Sequence, residues 1–368
     1  MAIDISDSQR LATPYVCIDR DVLWRNLDRL ATYAAAHGLK LRPHAKTHKS
    51  RKIAVWQLER GAIGLTVAKP SEAEVFADIC DDLLLAYPIV DAARADWVAQ
   101  LAHRVDMKVA VDSEHAVTVL SRAAMAAGET IGVLVDLDVG LHRTGVQSPS
   151  AAVELAQVIE RSPHLELRGL FCYPGHVWVA AHSQQSALNA VAEQLEAVLE
   201  VWKRHGLSAA IVSGGSTPTA YQSHLVRHLT EIRPGTYPFN DMNTVLGGYA
   251  TLDECAARII VTVVSDAVFG QVVIDAGSKT LAADRCISGP ESGYGYVVEY
   301  PEARISKLSE EHGQVDVSRC AARPKIGERL SVIPNHICPC INLQDRVWMK
   351  IAERQYEPLA IEARGRST

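Results

Sequence analysis

Between residues 38 and 236 the chain repeats one pattern eight times: a short apolar run of the kind buried in a parallel sheet, followed by a stretch with helical spacing of its apolar residues. The runs are LKLRPHA, AIGLTVA, DLLLAYPI, MKVAVD, IGVLVDLD, ELRGLFCYP, AAIVSGG and TEIRPG. The stretches between them, such as KSRKIAVWQLER, PSEAEVFADIC and HSQQSALNAVAEQLEAVLEVWKRHG, repeat apolar residues every three or four positions, as helices lying on a sheet do. Eight such units in succession predict a closed (β/α)8 barrel of the TIM type; one misassigned strand would leave an open doubly wound sheet instead. With 368 residues, 48% of them hydrophobic, the chain has material for such a barrel and an appendage.

The appendage is legible after about residue 250, where ARIIVTVVSD, GQVVIDAGSK, GYGYVVEY, RISKLSE, ERLSVIP, DRVWMKIA and EPLAIEARG are separated by Gly, Pro, Asn and Asp with little helical period. These predict a mainly antiparallel β domain. The opening TPYVCIDRDVLWRNLDRLATYAAAHG reads as a strand and an amphipathic helix capped near Asp19 or Asp21 and ended by Gly38, and the strand could pair with either domain. The expected division is a barrel over 21–248 and a β domain over 1–20 and 249–368. RIIVTVVSDAVFGQVVIDAG is broken by Ser265 and Asp266, so it reads as two strands and not as a membrane span. A net charge of -6 offers no basic field to nucleic acid. Eight scattered cysteines, and an opening MAIDISDSQR without an apolar signal core, lead to the expectation of a reducing cytoplasm.

In a barrel, chemistry collects at the carboxyl ends of the strands. The first run ends in His44, Lys46 and His48, the third in Tyr87, the fourth in Asp112, the fifth in Asp136 and Asp138 followed by GLHRTG, and the sixth in CYPGH. The seventh ends in SGGSTPT, where Gly214 and Gly215 let backbone N–H groups approach an anion and Ser213, Ser216 and Thr217 add hydroxyls. The eighth supplies Arg233 and Tyr237. A Gly-Ser turn alone is an ordinary connector, and a lone lysine is ordinarily a solvated charge. A phosphate cradle after strand seven together with a desolvated lysine, which acts as an amine nucleophile, suggests pyridoxal phosphate, whose aldehyde condenses with lysine.

PHAKTHKS, GLHRTGV, YPGH, SGGSTPT, RPGTYPFND, IDAGSKT and IPNHICPCINL, in this order over nearly the whole chain, resemble the D-threonine aldolase and metal-activated D-serine dehydratase family of alanine-racemase-like, fold-type-III pyridoxal phosphate enzymes. The resemblance implies that Lys46 carries the cofactor. It also implies that Gly214, Gly215, Ser216, Thr217 and Tyr237 hold the phosphate, that Tyr173 lies against the ring region, and that Arg143, or else Arg233, faces the ring nitrogen. A homodimer is implied as well.

In PNHICPC, residues two apart in an extended strand share a face, so His336 and Cys338 can offer imidazole and thiolate to one ion, with Cys340 as a third candidate. The competing reading is a satisfied core histidine beside small buried cysteines. The resemblance favours a divalent metal: zinc, manganese or magnesium. It implies a lyase acting on β-hydroxy-D-amino acids, with His176 as a base or substrate contact. Aldol cleavage to glycine and an aldehyde is placed ahead of dehydration of D-serine or 3-hydroxyaspartate to a 2-oxo acid and ammonia. An amino acid racemase, then a metal-dependent barrel hydrolase using His44 and His48, follow as rivals. Asp136 and Asp138 read either as orienting groups or as turn and capping residues.

Overall fold

The computed structural model describes residues 11–368. The opening ten residues, which the sequence reading assigned to the β domain, lie outside the described residues. Strand β1 (Tyr15–Asp19) leads into the helix Arg20–Ala36. Asp19 caps that helix, its Oδ1 accepting the amides of Asp21 and Val22 at 3.1 Å, and Gly38 leaves it at φ +66°.

Eight parallel strands follow: β2 (Lys40–Leu41), β3 (Leu65–Val67), β4 (Asp82–Leu85), β5 (Asp106–Val111), β6 (Ile131–Leu137), β7 (Leu165–Cys172), β8 (Ile211–Gly214) and β9 (Glu231–Ile232). Their order is β2-β9-β8-β7-β6-β5-β4-β3, and the parallel bridges Leu41↔Ala62 and His44↔Thr66 join the two ends, closing the barrel. Leu84, Ala110, Leu134 and Phe171 form one buried layer of its packing. A second layer is ionic. Lys108 Nζ contacts Asp82 and Asp106 at 2.7 Å, Asp82 pairs with Arg42, and Arg42 Nε bonds both Glu231 carboxylate oxygens at 2.9 and 3.0 Å. Glu231 in turn accepts from Ser213 Oγ at 2.5 Å, and Ser213 from Arg233 Nη1 at 2.6 Å. Gly64 makes room for this chain, because a Cβ there would lie 2.5 Å from Arg42 Nη1.

The remaining strands are β10 (Ala257–Ser265), β11 (Gln271–Ile274), β12 (Tyr296–Val297), β13 (Arg304–Leu308), β14 (Gly313–Asp316), β15 (Arg329–Ile333), β16 (Arg346–Ala352) and β17 (Gln355–Ala360). Their sheet runs β11-β14-β13-β12-β15-β10-β1-β16-β17, and an added β10–β11 pairing closes a smaller antiparallel barrel. β1 belongs here, antiparallel to β10 and parallel to β16. The chain thus forms two compact units: 11–28, Thr47–Ser50 and Thr236–Gly365 in one, Arg29–Lys46, Arg51–Gly235 and Arg366–Thr368 in the other. No helix among the described residues is long and apolar enough to cross a membrane.

Two local expectations change. β14 lies between RISKLSE and ERLSVIP, where no strand was expected. The PNHICPC segment is not extended: His336 caps a short helix, Ile337–Asn342, and has φ -138° itself.

Candidate active site

The barrel unit brings several of the expected residues to the carboxyl ends of its strands. Register fixes the arrangement of the first pair: Leu41 of β2 lies beside Ile232 of β9, and Ile232 beside Gly214 of β8. Beyond these strands His44 N donates to Pro234 O at 3.1 Å, and Arg233 N to Gly214 O at 3.0 Å, so Lys46 and the Gly214–Gly215 turn leave the same end with one strand between them.

Lys46 differs from expectation in its surroundings. β2 is only two residues long, so Lys46 sits in a turn and not within a buried strand. Of residues 45–50 it alone is exposed, and its amine forms no hydrogen bond or ion pair with the described residues. The desolvated lysine expected from sequence is therefore an amine held out to solvent by a buried turn. His48 is wholly buried and its Nδ1 accepts the Ser50 amide at 3.2 Å, which is a packing role.

After β8, Gly215 has φ +78°, a conformation that favours glycine. A Cβ on Gly214 would come within 2.5 Å of Leu229 and 3.0 Å of Cys172 Sγ, so close packing behind the turn requires this glycine, independently of any anion in front. Ser216 N and Oγ lie 3.1 and 3.0 Å from Thr219 Oγ1, and Thr217 Oγ1 accepts the Gly235 amide at 3.1 Å, which ties the turn to the segment after β9. Ser213 departs from its expected part: its hydroxyl is committed inside the barrel to Glu231 and Arg233. A left-handed glycine flanked by hydroxyls at a strand end suits a phosphate, and with the Lys46 amine the arrangement fits pyridoxal phosphate.

Arg143 lies over the Tyr173 ring, 5.0 Å from its centroid. Arg233 is buried, stacks 3.7 Å over Phe171 and donates to Cys172 O at 2.7 Å; burial pulls its guanidinium down to about 10. His176 packs on Gly140, where a Cβ would meet the imidazole at 2.9 Å, and burial lowers its pKa, favouring the neutral base. Asp138 Oδ2 and His142 Nδ1 lie 2.7 Å apart on the loop that carries Arg143.

The other unit holds Tyr237, 3% exposed, together with His336 and Cys338. Although i and i+2 on a helix diverge, His336 is the cap and turns its ring back onto Cys338. Burial opposes charge on either side chain, but their hydrogen bond and mutual attraction outweigh it, holding the imidazole up and the thiol down. Thr47 Oγ1 lies 3.1 Å from the sulfur, and the carboxyl of Asp241, which sequence reasoning assigned no role, accepts the Ile337 amide at 3.0 Å. Cys340 is not a companion donor: it is buried, its Sγ is 3.2 Å from Leu281 O, and burial drives its pKa up. An imidazole beside a thiolate is a donor pair suited to a borderline-soft divalent ion. No group of three or more His, Cys, Asp or Glu among the described residues is arranged to hold a metal.

A parallel barrel joined in one chain to an antiparallel barrel is the architecture of the alanine-racemase-like pyridoxal phosphate enzymes. Residues 18–242 match the alanine racemase N-terminal domain family, and residues 256–349 a putative serine dehydratase domain. The chain is 30% identical over 346 residues to D-threonine aldolase of Arthrobacter sp., covering 91% of this chain and 88% of that protein. It is 32% identical over 354 residues to D-threo-3-hydroxyaspartate dehydratase of Delftia sp., covering 89% and 91%. Among solved structures, D-threonine aldolase from Filomicrobium marinum superimposes with a TM-score of 0.90 at 30% identity, over 98% of each chain. The chain belongs to the fold-type-III pyridoxal phosphate lyases of D-amino acids, the family of the D-threonine aldolases, hydroxyaspartate aldolases and dehydratases, and D-serine dehydratases.

Proposed function

We propose that the chain is an aldolase of the D-threonine type, cleaving β-hydroxy-D-amino acids to glycine and an aldehyde, with Lys46 carrying pyridoxal phosphate. The observation that supports this most is the barrel end that Lys46 and the Gly214–Gly215 turn share, with one strand between them. When bound, the cofactor supplies an electron sink for charge at Cα, and a divalent ion supplies a Lewis acid.

The chain's own residues do the rest. Ser216, Thr217 and the backbone of Gly214 and Gly215 bind the phosphate, with Tyr237 as the further phosphate contact that the resemblance implies. Tyr173 and Arg143 orient the ring. His176, favoured in its neutral form, takes the proton from the substrate's β-hydroxyl oxygen, so that the Cα–Cβ bond breaks. His336 and Cys338 are the proposed metal ligands, the sulfur ligand leaning toward zinc.

Cys338 also favours a second reading, elimination to a 2-oxo acid and ammonia, in which Lys46 instead takes the Cα proton. The protein is proposed to act as a homodimer, which light scattering checks. Purified enzyme is incubated with D-threonine, D-serine and 3-hydroxy-D-aspartate, with and without chelator, and assayed for glycine against ammonia. Glycine from D-threonine supports the aldolase; ammonia alone replaces it with the dehydratase. Lys46→Ala is expected to abolish the cofactor's absorption band and its borohydride trapping, whereas His336→Ala keeps the band and loses turnover. Full activity of His336→Ala after chelation would remove the metal from the scheme.

A further inference from the structure

Asp136 is a buried acid that the reaction above leaves unused. It stands on β6, 7% exposed, in register with Phe171 of β7. Thr144 Oγ1 donates to its Oδ2 at 2.8 Å, and its carbonyl accepts the Val146 amide at 2.9 Å. Asp138 N donates to Val146 O at 3.1 Å, and Gly145 N to Asp112 Oδ2, at the end of β5, at 3.2 Å. The loop leaving β6 is thereby folded back onto the strand ends, with Arg143 next to the residue that Asp136 holds. The titratable groups facing the carboxyl are Asp112 from β5, Cys172 from β7, Arg143 from the loop and Arg233 from the segment after β9.

We propose that Asp136 is a positioning residue of the cofactor site: through Thr144 it fixes the loop that presents Arg143, and its negative charge directs the Arg143 and Arg233 guanidinium groups. The proposal rests on the reading that this barrel end takes pyridoxal phosphate. Stability alone does not explain a carboxylate here. Burial, with Asp112 adding to it, pushes the group up to about 6 against the Thr144 hydrogen bond and both arginines. A carboxyl raised in the folded state stabilises fully below its unfolded pKa and loses that contribution as pH rises through the folded value, so at neutral pH its charge is a burden on the fold. Its carboxyl accepts from the Thr144 hydroxyl and feels the charges of two arginines at the proposed site.

The test compares wild-type holoenzyme with Asp136→Asn and Thr144→Val, measuring kcat and kcat/KM against pH, cofactor absorption and thermal midpoint. In the wild type, kcat/KM is expected to fall on the acid side as pH drops through about 6, where Asp136 and His176 both gain protons. Asp136→Asn is expected to lose the Asp136 share of that limb, leaving only the limb set by His176, and roughly tenfold in kcat, as replacing a supporting partner commonly does, with a midpoint equal to or above the wild type. Thr144→Val keeps the limb but shifts it to higher pH, because the hydroxyl no longer favours the ionised form. The inference is overturned if Asp136→Asn retains wild-type kcat with an unchanged acid limb, or if its activity falls only in step with its midpoint. If wild-type Lys46 traps no cofactor with borohydride, the cofactor reading itself has failed, and the inference falls with it.

Discussion

Asp138 sets the geometry of its loop by accepting hydrogen bonds from Gly140 N at 3.0 Å, His142 N at 2.9 Å, His142 Nδ1 at 2.7 Å and Gln147 Nε2 at 3.2 Å. They stabilise a turn in which His142 takes φ +56°, disfavoured for a residue with a side chain. Burial alone would raise this carboxyl, but the donors outweigh it and hold it at about 2. A carboxyl depressed in the folded state contributes its stability above the unfolded value and loses it as pH falls through the folded one. Asp138→Ala should therefore cost about 2 kcal/mol in urea unfolding at pH 7, with the difference shrinking toward pH 2. An undiminished difference at low pH would contradict this account. At this scale residue type and position at a strand end pointed to Lys46 and the SGGST turn, whereas Arg143 came from the family resemblance alone. It did not separate Ser213, whose hydroxyl points inward, from Ser216 and Thr217, because which face a residue takes at the last position of a strand depends on where the strand stops.

Among the elements, the helix Ile337–Asn342 shows why PNHICPC misled. The segment reads as an extended strand in the sequence, yet Pro339 falls in the first helical turn, where its missing N–H would have had no intrahelical partner. Asp241 supplies what the helix start needs, since its Oδ2 accepts Ile337 N at 3.0 Å and its Oδ1 accepts Thr244 N at 3.1 Å. Asp241→Ala leaves two buried amides without an acceptor and should destabilise by about 1–3 kcal/mol; Asp241→Asn, which keeps an acceptor oxygen, should lose less. Chemical denaturation of both variants checks the order. β14 went unread because four residues beginning with glycine carry no periodicity of their own; its strand character comes from pairing with β11 and β13. β2 and β9 are only two residues long, but their hydrogen bonding continues past the strands through His44, Pro234 and Thr66.

For the molecule as a whole, the eightfold alternation made the barrel legible, because each βαβ unit signals itself locally in some 25 residues or so. The smaller barrel was legible as antiparallel strands, but its closure through the β10–β11 pairing is a long-range fact. The ionic chain inside the large barrel was not legible at all. Arg42, Asp82, Lys108 and Glu231 are scattered single charges in the sequence, and only the register sets them side by side. Arg42→Met removes the counter-charge of Glu231 and should destabilise by roughly 3–5 kcal/mol, while adding Glu231→Gln should recover part of the loss. A double-mutant cycle by thermal unfolding measures the coupling; strictly additive losses would refute it.

The consequence reaches past stability. Along this column each member is the counter-ion of the next, so the barrel floor cannot drift one residue at a time: a lone replacement strands its neighbour, and accepted changes must come in matched pairs.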